Sequence, residues 1–190
     1  MKARSLLILF AAAVILQLAV PAAMIVRRER VLRDGRAFKF RTAPVDPADA
    51  FRGRYVALNL EQNRMAVPLG SDYARGQKVY AVLMEDDAGF ATITDLRPER
   101  PDTEPYLATR IRYVYNTNAF LDLPFDRFYM EEDAAPAAEK AYWEHSRRTN
   151  TAAYIQVRIE NGFGVLEDLY LDGTPIQAYL EQQAAGTTRP

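Results

Sequence analysis

Residues 153–160, Ala153-Tyr154-Ile155-Gln156-Val157-Arg158-Ile159-Glu160, alternate apolar and polar side chains, and Asn161-Gly162 follow at once. Then Phe163-Gly164-Val165-Leu166-Glu167-Asp168-Leu169-Tyr170-Leu171 runs back as a second apolar-rich stretch. Strict alternation is the signature of a half-buried strand, because successive side chains point to opposite faces. Asn-Gly tolerates the positive φ angles of a two-residue hairpin turn. The segment therefore predicts an antiparallel hairpin, and an antiparallel sheet around it.

Working outward, other segments repeat the pattern. Residues 36–42 place Phe38 and Phe40 on one face and Lys39 and Arg41 on the other. Residues 54–60 place Val56, Leu58 and Leu60 together. Residues 77–84 are apolar on both faces, as a central strand would be, and Asp86-Asp87-Ala88-Gly89 turns them into a strand over 90–96. Pro98, Pro101 and Pro105 mark an irregular link. Residues 107–115 alternate again with Arg110 and Arg112 facing out, and 127–130 form a short strand. Residues 137–145 carry helical spacing behind Pro136, and Asp172-Gly173 turns the chain into a helix over 175–182.

Toward the other end, residues 6–26 contain no charge. About 20 apolar residues make a helix about 30 Å long, the thickness of a bilayer's hydrocarbon core. Three readings stand: an uncleaved anchor ending at Arg27-Arg28, a secretory signal cut before Ala23, or a buried helix of a soluble domain. The anchor is preferred because Met24-Ile25-Val26 continue the apolar run past the possible cut. Orientation is contested. Arg27, Arg28, Arg30, Arg33 and Arg36 follow the span, which favours a cytoplasmic domain, while the short basic stretch with Lys2 and Arg4 favours export. Export is the expectation adopted: a single pass through the inner (cytoplasmic) membrane with the domain on the periplasmic side.

The fold class expected is α+β: an N-terminal transmembrane helix, then one antiparallel β-rich domain, a twisted sheet or partly closed barrel, under one or two covering helices. Residues 1–33 form anchor and stalk, 34–183 the domain, and 184–190 a flexible tail. The chain has 24 basic and 25 acidic residues, one histidine and no cysteine. Balanced charge points away from nucleic acid. Without cysteine there are no disulfides, no thiolate nucleophile and no cysteine-bound metal.

One stretch carries a recognisable pattern: Pro44-Val45-Asp46-Pro47-Ala48-Asp49-Ala50-Phe51-Arg52-Gly53-Arg54-Tyr55-Val56-Ala57-Leu58-Asn59-Leu60. It resembles the signature P-x-D-P-R-D-x-x-R-G-D-Y-x-x-L of the GDYXXLXY protein family, bacterial proteins with an N-terminal hydrophobic segment. The likeness continues through Gly76-Gln77-Lys78-Val79-Tyr80, Arg127-Phe128-Tyr129-Met130-Glu131-Glu132 and Leu169-Tyr170-Leu171-Asp172-Gly173. It implies membrane association and brings no activity with it. Arg54 replaces the acid of the pattern, and Leu60 its last tyrosine.

Read from the residues alone, Asp46 suits a helix N-cap, Pro47 the first helical position, and Gly53 the end of a single turn. The same corner offers Arg52 and Arg54 to a carboxylate or phosphate. Asp46, Asp49, Arg52, Arg54, Tyr55, Tyr129 and Glu131 are the binding residues expected. Glu131-Glu132-Asp133, with Glu139, Glu144 and His145, reads better as a solvated helix start than as a metal site. Ser71 and Ser146, with Lys78 and Lys140, form no serine–lysine motif. The aromatic band Tyr113, Tyr115, Phe120, Phe125, Phe128, Tyr129, Tyr142 and Trp143 divides between core and groove. No catalytic set, metal or cofactor is expected. The function expected is a non-catalytic binding or assembly domain with the bilayer and an envelope or membrane protein as partners; a hydrolase using Asp or Glu carboxylates, and a structural subunit of a larger membrane complex, are the alternatives.

Overall fold

The computed structural model describes residues 3–43, 55–146 and 153–187. Helix α1, Ala3–Asp34, is continuous through Gln17 and Pro21 and is about 48 Å long at 1.5 Å per residue. It is long and apolar enough to cross a membrane. The domain does not cover its apolar part: Leu7 is 71% exposed and Phe10 70%. Its last turn is different, because Val31 is 1% exposed and seated on the sheet. Gly35 ends the helix by donating its N–H to the Val31 carbonyl at 2.9 Å. A Cβ at Gly35 would lie 2.4 Å from that same carbonyl oxygen, so only glycine fits the exit.

Two five-stranded antiparallel sheets follow. The first contains β1 (Arg36–Ala43), β3 (Asn59–Leu60), β10 (Ala153–Glu160), β11 (Phe163–Leu171) and β12 (Thr174–Pro175), in the order β12-β11-β10-β1-β3. The second contains β4 (Arg64–Ala66), β5 (Lys78–Glu85), β6 (Ala91–Arg97), β7 (Tyr106–Tyr115) and β8 (Asn118–Leu121), in the order β4-β8-β7-β5-β6. A separate ribbon pairs β2 (Tyr55–Ala57) with β9 (Arg127–Tyr129). Single-residue bridges at Lys39↔Phe90 and Leu107↔Gly162 join the two sheets. The result is a nearly closed barrel with two covering helices, α2 (Ala135–Ser146) and α3 (Ile176–Thr187).

Closure depends on the hairpin turn. Asn161 and Gly162 both have positive φ, 50° and 77°, as a two-residue hairpin turn requires. The Gly162 carbonyl accepts the Ala108 N–H at 2.9 Å, and a Cβ there would meet the Tyr106 ring at 2.4 Å. Register shifts in β10–β11, β5–β6 and β7–β8 add the local twist that bends a sheet toward closure. The interior holds Phe38, Phe40, Val79, Leu83, Leu107, Ile111, Ile155, Val157 and Leu169, each at most 1% exposed. Helix α2 turns Ala135, Ala138, Tyr142 and His145 inward at helical spacing.

The alternating segments became strands as expected, with β5 central between β6 and β7. Three features differ from expectation. The strand over 54–60 is broken at Leu58, which is buried and sits between β2 and β3 as they enter different sheets. Strands β4 and β8 carried no signal, being short segments of three and four residues, β4 at the sheet edge and β8 between it and β7. Helix α3 runs to Thr187, into the stretch 184–190 expected as a tail. The helical turn expected over 46–53 lies outside the described residues.

Candidate functional site

The β2–β9 ribbon contains the first described residues of the signature stretch, from Tyr55 onward. Tyr55 lies opposite Tyr129, Val56 opposite Phe128, and Ala57 opposite Arg127. Period-two geometry sends Val56 inward, fully buried, and leaves Tyr55, Tyr129 and Arg127 on the outer face. The two phenol rings meet at 5.6 Å with planes tilted 59°. The Arg127 guanidinium lies 5.0 Å from the centre of the Tyr55 ring. Hydrogen bonding to Tyr129, and then the charge of Asp126, hold the Arg127 guanidinium above its usual pKa. Tyr129 is 66% exposed.

Of the residues expected to bind, the fold therefore brings Tyr55 and Tyr129 into contact. Asp46, Asp49, Arg52 and Arg54 lie outside the described residues. Glu131 is exposed just beyond Tyr129, and its carbonyl accepts the N–H groups of Ala134 and Ala135 at the start of α2. Glu132 and Asp133 are exposed as well. Among the described residues no group of three His, Asp or Glu side chains is arranged to hold a metal ion.

The aromatic band divides. Phe125 and Tyr142 are each 2% exposed and belong to the core, and the Tyr142 hydroxyl donates to the Ala43 carbonyl. Tyr113 stacks on Phe120 at 4.5 Å on the outside of β7–β8, and Tyr115 is 66% exposed beyond it.

The polar groups that resemble catalytic parts have structural partners. His145 is buried: its Nδ1 faces the Ala141 carbonyl at 2.7 Å and its Nε2 the Asp172 carboxylate at 3.0 Å, tying α2 to the turn after β11. The Ser71 and Ser146 hydroxyls donate to the backbone carbonyls of Pro68 and Trp143.

Two arrangements carried no sequence signal. Arg127 reaches a ring 72 positions away, which no local spacing announces. Glu167 is the extra residue of the bulge between the Gln156↔Asp168 and Val157↔Leu166 pairs. The bulge brings Glu167 against Gln156 Nε2 and Arg158 Nε, both at 2.7 Å. Hydrogen bonding to Arg158, then to Gln156, lowers the Glu167 pKa, whereas burial raises that of Asp168 beside it.

Against known families, the chain matches the model described as GDYXXLXY protein over residues 17–169. That span covers most of the sequence, and the chain belongs to this family. The description names a sequence pattern and no activity. No curated protein matches the chain, and no solved structure does.

Proposed function

We propose that this chain is a membrane-tethered, non-catalytic binding domain of the bacterial cell envelope, held in the inner membrane by α1 with its barrel on the periplasmic side. Residues 1–33 serve as anchor and stalk and 34–183 as the binding unit. The partner is another envelope or membrane protein, which docks on the outer face of the β2–β9 ribbon beside the Asp46–Tyr55 corner.

The observation that carries this is the open Tyr55–Tyr129 pair with Arg127 over it. Tyrosine and arginine are enriched among the residues that dominate interface energy: tyrosine offers large rigid area at low entropic cost, and arginine directed, forked hydrogen bonds. The periplasmic placement draws support from the size of the domain. The arginines after the span weigh on orientation mainly in short loops, and long domains translocate largely regardless of charge.

The test places a photo-crosslinking phenylalanine analogue at position 129 of the full chain in cells. One discrete protein adduct is expected, and Arg127→Ala combined with the analogue should weaken it several-fold. An absence of any adduct at position 129, with the chain present in the membrane, would sink the reading. A C-terminal reporter active only outside the cytoplasm checks orientation independently.

A further inference from the structure

The junction between helix and barrel contains a groove that neither the family pattern nor the ribbon accounts for. It has a volume of about 490 Å³ and lies between α1 and the β10–β11 turn. Its helix wall is Ala23, Val26, Arg27, Arg30 and Val31, and its barrel wall is Glu160 and Asn161. The helix residues follow i, i+3, i+4, i+7, i+8 spacing, so they form one stripe facing the turn. Val31 anchors the lower end, being buried, while Val26 at the upper end is 63% exposed.

Resting on the reading that α1 spans a bilayer, we propose that this groove holds the phosphodiester headgroup of a membrane phospholipid between Arg27 and Arg30. Three observations carry the assignment. The first is level: the apolar run ends at Val26, so the groove begins where hydrocarbon gives way to headgroups. From Ala23 to Val31 it extends about 12 Å along the helix, and the polar layer on each side of a bilayer is about 5–8 Å thick.

The second is the state of the two guanidiniums. Arg27 is held in place by stacking over the Phe163 ring at 4.1 Å, a contact that leaves its N–H groups in plane and available. Arg30 makes no hydrogen bond or ion pair among the described residues. The nearby Asp34 carboxylate is already taken by Arg33, through Nε at 2.9 Å and Nη2 at 3.1 Å. The third is charge. Arg27 and Arg30 against Glu160 leave the groove with one net positive charge, the complement of one phosphodiester. On the opposite wall the Asn161 Oδ1 already accepts from Arg100 Nη2 at 3.0 Å, and Glu160 accepts from the amine or hydroxyl that the common bacterial headgroups carry beyond the phosphate.

The experiment uses the full chain reconstituted in vesicles of phosphatidylethanolamine and phosphatidylglycerol, extracted in mild detergent and weighed intact by native mass spectrometry. Flotation with the vesicles checks the anchor first, so a chain that fails to float fails on the anchor rather than on the groove. A floating wild-type chain is expected to retain one phospholipid. Arg27→Gln and Arg30→Gln should each reduce the retained fraction at least five-fold. Arg28→Gln, at the same level of the helix and outside the groove lining, should leave it unchanged. Retention unaltered in both groove variants would overturn the proposal, and so would an equal loss in Arg28→Gln. Displacement of the lipid by millimolar inorganic phosphate would overturn the lipid assignment in favour of a soluble anion.

Discussion

Two cross-strand tyrosine pairs in this molecule share the same ladder geometry and differ in what surrounds them. Tyr154 lies opposite Tyr170 in β10–β11, and Tyr55 opposite Tyr129 in β2–β9. The first pair is stacked, with rings 5.0 Å apart and 2° from parallel. Phe90 meets Tyr154 edge-on at 5.5 Å, the Lys39 ammonium lies 5.5 Å from the same ring, and Tyr154 is left 8% exposed. Burial raises the pKa of both phenols in this pair, with Asp168 adding to the effect at Tyr170. The second pair sits on a two-stranded ribbon, and Tyr129 is left 66% exposed. Pairing alone is worth well under the cost of burying or exposing a whole ring. The number of strands behind each pair, and the loop folded over it, decides whether a tyrosine holds the fold or meets a partner.

The sharpest break in that comparison is Tyr154→Ala. Emptying a covered aromatic site costs about 3 kcal/mol, so the detergent-solubilised chain should lose about that much in denaturant unfolding. A loss below about 1 kcal/mol would mean that the covered pair is as superficial as the open one.

Next comes Tyr129→Ala, which should separate binding from stability. Stability is expected to move by less than about 0.5 kcal/mol, while partner affinity falls by about 2 kcal/mol, roughly 30-fold. Equal damage to both, read by unfolding and by affinity for the partner captured through position 129, would make the open pair structural too.

The smallest effect concerns the charges beside the covered pair. Glu167 is held below its usual pKa by Arg158 and Gln156, so it contributes stability above the ordinary carboxylate range and loses it as pH falls through that range. Glu167→Gln should therefore cost about 1 kcal/mol at pH 7 and flatten the acid side of the stability profile. An unchanged acid limb in unfolding from pH 7 to pH 3 would remove Glu167 from the account. Asp168 works in the opposite sense: burial raises its pKa, so the folded chain gains when it is protonated and that gain fades as pH rises.

Much of the barrel was legible because its strands bury one face. Phe38 and Phe40, Ile155 and Val157, and Ile111 in β7 announce themselves by period two, and Asn161-Gly162 names its own turn. Strands β4 and β8 were not legible, since three or four residues give no period: β8 is fixed by its ladder to β7, and β4 by its ladder to β8, which the Val67 N–H extends to the Thr117 carbonyl at 2.8 Å. Tyr55 and Tyr129 were each singled out from the family pattern, yet their contact was not, because 74 residues separate them. Asp46, Asp49, Arg52 and Arg54 lie outside the described residues, so that corner still rests on the pattern alone.

By itself the sequence determined an uncharged span of bilayer length, an antiparallel β-rich domain and the family, because charge, periodicity and motif are local properties of the chain. Only the tertiary structure decided which tyrosines are covered, that a bulge turns Glu167 onto Arg158, and that Arg27 and Arg30 face a hairpin 130 residues away. Those are matters of which distant surfaces meet, and no short window of residues contains that information.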